Sequence, residues 1–356
     1  MKIAHCQFES WNADFARNLR RFEEGLARAD AAGADIVSFP ECFLTGYPDT
    51  GAEARRGAFA LDSEEAMRVL DVTSRHEALA IVGFNELRGG DLYNTVLVAH
   101  RGHLEGTYSK CSAYQIFHRQ GRDFPVWEHR GLRFGVLICS DGGYIEPARI
   151  LALKGARVIF APHFNAIQPG GVLSHFTKVR ADHTARAIEN SVYFVRGNNV
   201  ILDSGKSGLT RSDLVGYGDS YVMDPGGEIL VQSRRHVEDF LVAEINPERP
   251  PDRAWGLSKS AWRPAGRPAD PEIGIASADP LAILAPHLVR RIRRRQGRRR
   301  HVAAVARRAG LGSAGGNQQG SNEGGENEQR EGQNSFHTWR TMSKTRAGGN
   351  WKSPRG

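Results

Sequence analysis

The chain has 356 residues, 40 % hydrophobic and 25 % charged, enough for a sizeable core in one large domain or two modest ones. Its net charge of +8 is carried by one end, because residues 251–356 hold 20 Lys+Arg against 8 Asp+Glu and residues 1–250 hold 28 against 32. A mildly acidic body gives no reason to expect nucleic-acid binding from the folded part, and no run reaches the ~18 apolar residues that would span a bilayer.

The start, Met1 to Cys6, turns polar too early for a secretory leader, so a cytoplasmic chain is expected. Ile3–Phe8 reads as a first strand. Asn12 is a candidate cap for a helix whose apolar stripe is Phe15, Leu19, Phe22 and Leu26, with Gly33 as its stop. The next strand is Asp35–Phe39, followed by a helix near Ser63–His76 and strands at Leu79–Phe84, Leu92–Ala99 and Leu104–Tyr108. A strand at Arg133–Cys139, a helix Glu146–Lys154, a strand Val158–Ala161 and a helix Ser174–Asn190 come next. Strands near Tyr193–Asn198, Ser220–Met223, Glu228–Gln232 and Leu241–Ile245 close the body. Alternating strands and helices, then strands in succession, indicate an α/β layered sheet protein.

Beyond Pro250 the character changes. Residues 251–285 read as an extension packing on the body or on a partner subunit, and 286–356 as a basic, then Gly/Asn/Gln-rich disordered tail with too little apolar surface to offset its ordering entropy. Arg290 to Arg300 contains eight arginines. That density could attract nucleic acid or acidic lipid, although a solvated basic stretch is the commoner outcome.

Three apolar runs place reactive groups at or just past their ends: Glu41 after Val37-Ser38-Phe39-Pro40, Lys110 after Thr107-Tyr108-Ser109, and Cys139 after Gly135-Val136-Leu137-Ile138. Strand ends are where α/β proteins present chemistry, since the sheet fixes direction and the loop opens a pocket. A carboxylate, an ammonium and a thiol in that context point to thiol nucleophilic catalysis with a carboxylate base. Each has a plainer reading: a turn carboxylate, a solvated lysine, a buried core cysteine. The four cysteines (Cys6, Cys42, Cys111, Cys139) show neither CxxC nor zinc spacing, so no metal and no cofactor are expected.

The segments around the trio resemble the carbon–nitrogen hydrolase family, or nitrilase superfamily, over roughly residues 1–250. Phe39-Pro40-Glu41-Cys42-Phe43-Leu44-Thr45-Gly46-Tyr47 is similar to its first block. Cys139-Ser140-Asp141-Gly142-Gly143-Tyr144-Ile145-Glu146 is similar to its nucleophile block, with Ile145 where proline is usual. Gly155 to Ile159, Arg186 to Asn190 and Asp219 to Gly227 match later blocks in order. The resemblance implies a four-layer α-β-β-α sandwich, a homodimer or larger homo-oligomer, and a Glu41-Lys110-Cys139 triad hydrolysing a non-peptide C–N bond through a thioester. Tyr47, Gln115, Ser140, Asp141, Glu146, His163 and Asn165 are the candidate supporting or substrate-binding residues.

Two departures from that pattern stand out. Many members carry a second glutamate between the lysine and the cysteine; here its expected place, residues 113–116, reads Ala-Tyr-Gln-Ile, and Glu128 falls too late. Ser112 replaces a usual histidine. Gly142 and Gly143 stand where carbamoylases have carboxylate-binding arginines, and Cys-Ser-Asp differs from the Cys-Trp-Glu of true nitrilases. A small uncharged or cationic amide is therefore the expected substrate. The alternatives are a catalytically weak nitrilase-like binding protein and a scaffold that recruits nucleic acid through its arginine-rich tail.

Overall fold

The computed structural model describes residues 1–202, 214–246 and 248. The expected extension at 251–285, the tail at 286–356 and its arginine cluster lie outside the described residues. Two sheets stack face to face. The first has the order β13-β1-β2-β3-β4-β5, formed by β1 (Lys2–Gln7), β2 (Ile36–Ser38), β3 (Leu79–Arg88), β4 (Asp91–His100), β5 (His103–Ser109) and β13 (Asp239–Glu244), with β6 (His118–Arg119) beside β4. The second has the order β12-β11-β10-β9-β8-β7, formed by β7 (Val126–His129), β8 (Leu132–Val136), β9 (Val158–Pro162), β10 (Tyr193–Gly197), β11 (Tyr221–Met223) and β12 (Ile229–Gln232).

The strands at each sheet centre are parallel, β1-β2-β3 and β8-β9-β10, and nearly every residue in them is buried. Helices on the outside account for this, because a sheet covered on both faces must be apolar on both. In β1, Ile3 faces the second sheet while Ala4 and Cys6 face outward, as period-two alternation requires. The inner core joins Ile3, Ile36, Ile81 and Val96 to Phe134, Val136 and Phe160.

Behind the first sheet lie α1 (Phe15–Ala32) and α3 (Glu64–Ser74), after the short α2 (Gly51–Gly57); behind the second lie α4 (Ile145–Leu153) and α5 (Val172–Asn190). The result is the four-layer α-β-β-α sandwich. The Leu19-Phe22-Leu26 stripe is buried, and Gly33 ends α1 in a left-handed conformation with its N–H bonded to Ala29 and Asp30 carbonyls. The cap is Asp14 rather than Asn12: its carboxylate accepts the Arg17 N–H. No helix among the described residues is long and apolar enough to cross a membrane.

One strand ends earlier than its apolar run. Arg133–Cys139 reads as a strand, yet β8 stops at Val136. Leu137 still donates to Phe160 O, but the Ile138 N–H turns to the Asp141 carboxylate, and Cys139 enters a 3-10 turn (Cys139–Gly143) with φ 49°.

Candidate active site

Glu41 lies in the turn after β2, fully buried, with its N–H donating to His163 O on the second sheet. This turn rests directly on β3, where a Cβ on Gly83 would stand 2.5 Å from the Cys42 nitrogen, so only glycine permits the approach. Lys110 follows β5 and donates its backbone N–H to Asn94 O. Its ammonium donates to Glu41 Oε1 at 2.6 Å, and Asn94 Nδ2 donates to the same oxygen at 2.7 Å. The other carboxylate oxygen, Oε2, accepts the Phe164 N–H at 2.8 Å. Burial alone would pull the ammonium down. The adjacent Glu41 carboxylate outweighs it and holds Lys110 protonated, above its ordinary range.

The Cys139 turn is pinned by Asp141. Its Oδ2 accepts Tyr108 OH at 2.7 Å and the Ile138 N–H at 3.1 Å, and its Oδ1 accepts the Ser112 N–H at 2.6 Å. Ser140 Oγ adds a bond to Ser112 O at 2.7 Å. The end of β5 and the nucleophile turn are thus tied together, and Cys139 lies beside the buried pair: adjacent residues meet both, the Phe164 N–H at Glu41 Oε2 and Asn165 Nδ2 at Cys139 Sγ. Burial first, then the Glu41 charge, push the thiol up to about 12, against the opposing pull of Lys110 and Arg196. Such a thiol is neutral at rest. It suits a nucleophile that gives up its proton as it attacks, rather than one stored as thiolate.

The structure brings the trio together with most of the supporting candidates. Tyr47 stacks on Phe164 at 4.9 Å, nearly parallel, and its phenol is raised by burial and by the Glu41 and Cys139 charges. Asn165 Nδ2 points at Cys139 Sγ from 3.9 Å. His163 is buried, with Nδ1 at Ala161 O and its ring edge-on to His183; its backbone carbonyl, not its ring, meets Glu41. Glu146 is exposed on the first turn of α4, and Gln115 sits half-buried in the loop before β6. Neither has a side-chain hydrogen bond among the described residues. Beside the turn, Ser112, Ala113, Tyr114, Gln120, Ser140 and Tyr144 line a cavity of about 280 Å³.

Sequence reasoning missed Asn94, Tyr108, His118 and Arg196. For Asn94 and Arg196 the signal was a polar residue within an apolar strand run, clearest for Arg196 in Tyr-Phe-Val-Arg-Gly; Tyr108 and His118 carried no such signal. No cluster of His, Cys, Asp and Glu able to hold a metal occurs among the described residues.

The carbon–nitrogen hydrolase family model matches residues 2–250. A nitrilase of Pyrococcus abyssi is 30 % identical over 256 residues, covering 69 % of this chain and 90 % of that protein. An (R)-stereoselective amidase of Pseudomonas sp. is 31 % identical over 257 residues, covering 70 % and 88 %. Among solved structures, an amidase variant from Nesterenkonia sp. AN1, with the acetamide moiety of fluoroacetamide added covalently at its active-site cysteine, superposes with a TM-score of 0.59 at 22 % identity, covering 69 % of this chain and 90 % of that one. The match of sheets, of ordered sequence blocks and of the family model over most of the chain establishes that this protein belongs to the carbon–nitrogen hydrolase family.

Proposed function

We propose that the chain hydrolyses a small, uncharged or cationic amide through a thioester on Cys139. The observation that carries this reading is the buried Glu41–Lys110 pair set beside the Cys139 turn, with the adjacent Phe164 and Asn165 reaching Glu41 Oε2 and Cys139 Sγ. As the sulfur attacks the amide carbon, its proton passes to Glu41 and the carbonyl π pair moves onto oxygen. Lys110 and the Ser140 backbone N–H stabilise that oxyanion. The oxygen lone pair then re-forms the carbonyl, the C–N bond breaks, and Glu41 delivers its proton to the leaving nitrogen.

The resulting thioester is opened by water, which loses a proton to Glu41 while its oxygen attacks. Cleavage of the C–S bond releases the acid, and the sulfur recovers the proton from Glu41. The relatives include both an (R)-stereoselective amidase and a nitrilase, so the preference for an amide rests on Cys-Ser-Asp standing at 139–141 in place of Cys-Trp-Glu. The stacked Tyr47 and Phe164 rings beside Glu41 give the acyl group an apolar wall.

Ammonia release from a panel of small amides, nitriles and ureido compounds tests the reading, with intact-mass detection of an acyl adduct on Cys139. Turnover of amides by the parent and none by Cys139→Ala is the expected result. Equal turnover by the two would overturn it, and binding of amides without turnover would make this a binding protein.

A further inference from the structure

Arg196 sits in the middle of β10 and is 1 % exposed. A guanidinium this deep ordinarily faces a carboxylate, because an uncompensated buried charge is costly. Its partners among the described residues are all neutral: Gly218 O at 2.8 Å, Asp219 O, Tyr217 OH at 3.2 Å and Asn165 Oδ1 at 2.7 Å. The Asp219 carboxylate is engaged elsewhere, by Arg180 at 3.0 Å, Arg235 at 3.3 Å and Gln232 at 2.6 Å. No carboxylate among its partners offsets the Arg196 charge, and that charge acts on the nucleophile.

The path runs through one amide. Because Arg196 donates to Asn165 Oδ1, the Asn165 Nδ2 end must face the opposite way, toward Cys139 Sγ. The Asn165 backbone is fixed in turn by its N–H bond to Asn199 Oδ1 at 2.7 Å. A thiol gains little from an N–H at 3.9 Å, but a sulfur carrying negative charge gains much more from a donor polarised by a cation behind it. The same field opposes protonation of the neighbouring His163 and His183 rings, already disfavoured by burial. Neither ring then brings a competing positive charge to the site.

Building on the thiol mechanism above, we propose that Arg196 is a positioning residue that aims Asn165 at Cys139 and stabilises the negative sulfur formed in attack and released again when the thioester opens. Two opposing charges would then set the reactivity of the thiol. Glu41 holds the proton near, and Arg196 lightens the cost of losing it.

The test is the rate at which iodoacetamide alkylates Cys139 in the full chain, resolved from the other three cysteines by peptide mass spectrometry, from neutral to alkaline pH. Arg196→Gln should slow alkylation at fixed pH by about tenfold, the equivalent of one pH unit in the thiol midpoint. Arg196→Lys, which keeps the charge, should recover most of that loss; a purely packing role predicts no such rescue. Asn165→Asp keeps the shape and neutralises Arg196 by an ion pair, so it should slow alkylation at least as much while the protein still unfolds cooperatively. It keeps the test open if Arg196→Gln does not fold. Parental alkylation profiles in Asn165→Asp and Arg196→Gln would overturn the proposal. Alkylation needs no amide turnover, so a protein that hydrolyses none of the panel yet shows these shifts would refute the amidase reading alone.

Discussion

Lys110 Nζ donates to Glu41 Oε1 at 2.6 Å with both side chains sealed from solvent, at 1 % and 0 % exposure. The pair joins the end of β5 to the turn after β2, so it holds the site together as well as charging it. Removing one partner leaves the other as an uncompensated buried charge. Lys110→Met should cost about 3–5 kcal/mol in chemical denaturation, and Glu41→Gln in the same chain should return a large part of it. Strictly additive losses across Lys110→Met, Glu41→Gln alone and the double variant would show that the pair does not couple. Hydrolysis should be lost in all three variants.

Cys139 holds φ 49°, a conformation that a side chain with a Cβ adopts at a cost of roughly 1–2 kcal/mol. The turn demands it, since Ile138 and Asp141 are bonded on either side. Cys139→Gly should therefore be more stable than Cys139→Ala by about 1 kcal/mol after allowing for the extra freedom of glycine in the unfolded chain. Thermal unfolding of the two variants decides it, and a more stable alanine variant would mean that the turn relaxes.

Asp141 satisfies three donors, Tyr108 OH, Ser112 N–H and Ile138 N–H, and so locks the nucleophile turn to the neighbouring sheet. Asp141→Ala strands all three and should destabilise by about 3 kcal/mol or more, whereas Tyr108→Phe removes one and should cost about 1 kcal/mol. Both should lower kcat/KM, the first more than the second. A fully active Asp141→Ala enzyme would show that Cys139 needs no such clamp.

The sandwich was legible because its signals are local and repeated. The Leu19-Phe22-Leu26 stripe, the Gly33 stop and the apolar runs at β3, β4 and β9 each fix an element without reference to the rest. Glu41, Lys110 and Cys139 were legible for a different reason: ordered blocks surround them. The Asp141 clamp, the Asn94 bond to Glu41 and the Arg196–Asn165 path were not, because each joins residues far apart in the chain and depends on how the two sheets stack. The early end of β8 was hidden for the same reason. An apolar run cannot reveal that one N–H will leave the ladder for a side chain.

Buried histidines make the fold sensitive to acid. His5, His163 and His183 are pulled below their ordinary 6.5 chiefly by burial, His5 to about 3. The unfolded chain takes up these protons near 6.5 and the folded chain does not, so stability is full above that pH and falls as pH drops below it. Each ring contributes up to about 1.4 kcal/mol per pH unit until it protonates in the folded state. His118, His129 and His175, lowered to about 4, act in the same sense, whereas Asp141, raised by burial, works in the opposite direction as a single group. Denaturation midpoints should therefore decline steeply from pH 6.5 downward, and decline less steeply when His5 and His183 are both replaced by glutamine. Equal slopes in the parent and the double variant would assign the acid sensitivity elsewhere.

A further side chain that the Lys110 charge reaches is His118. Asn94, which bonds Lys110, and Leu92, which pairs with His118, are two apart on β4, so Lys110 and His118 share one face of the sheet. His118 Nε2 meets Asn85 Oδ1 at 2.8 Å, and Asn85 Nδ2 reaches back to Thr45 and Gly46 in the turn that carries Glu41. Burial, with the Lys110 charge adding to it, lowers the ring to about 4, so it is neutral and its Nδ1 is a buried acceptor with no partner among the described residues. A neutral acceptor next to the ammonium can orient it, or take an N–H from the amide, without adding a second negative charge. His118→Ala should then lower kcat/KM by about tenfold or more while Gln115→Ala changes it by less than about twofold. His118→Gln, which keeps a donor and an acceptor, should fall between the parent and alanine. If Gln115→Ala is the more damaging change, the role belongs to the loop and not to the β6 histidine.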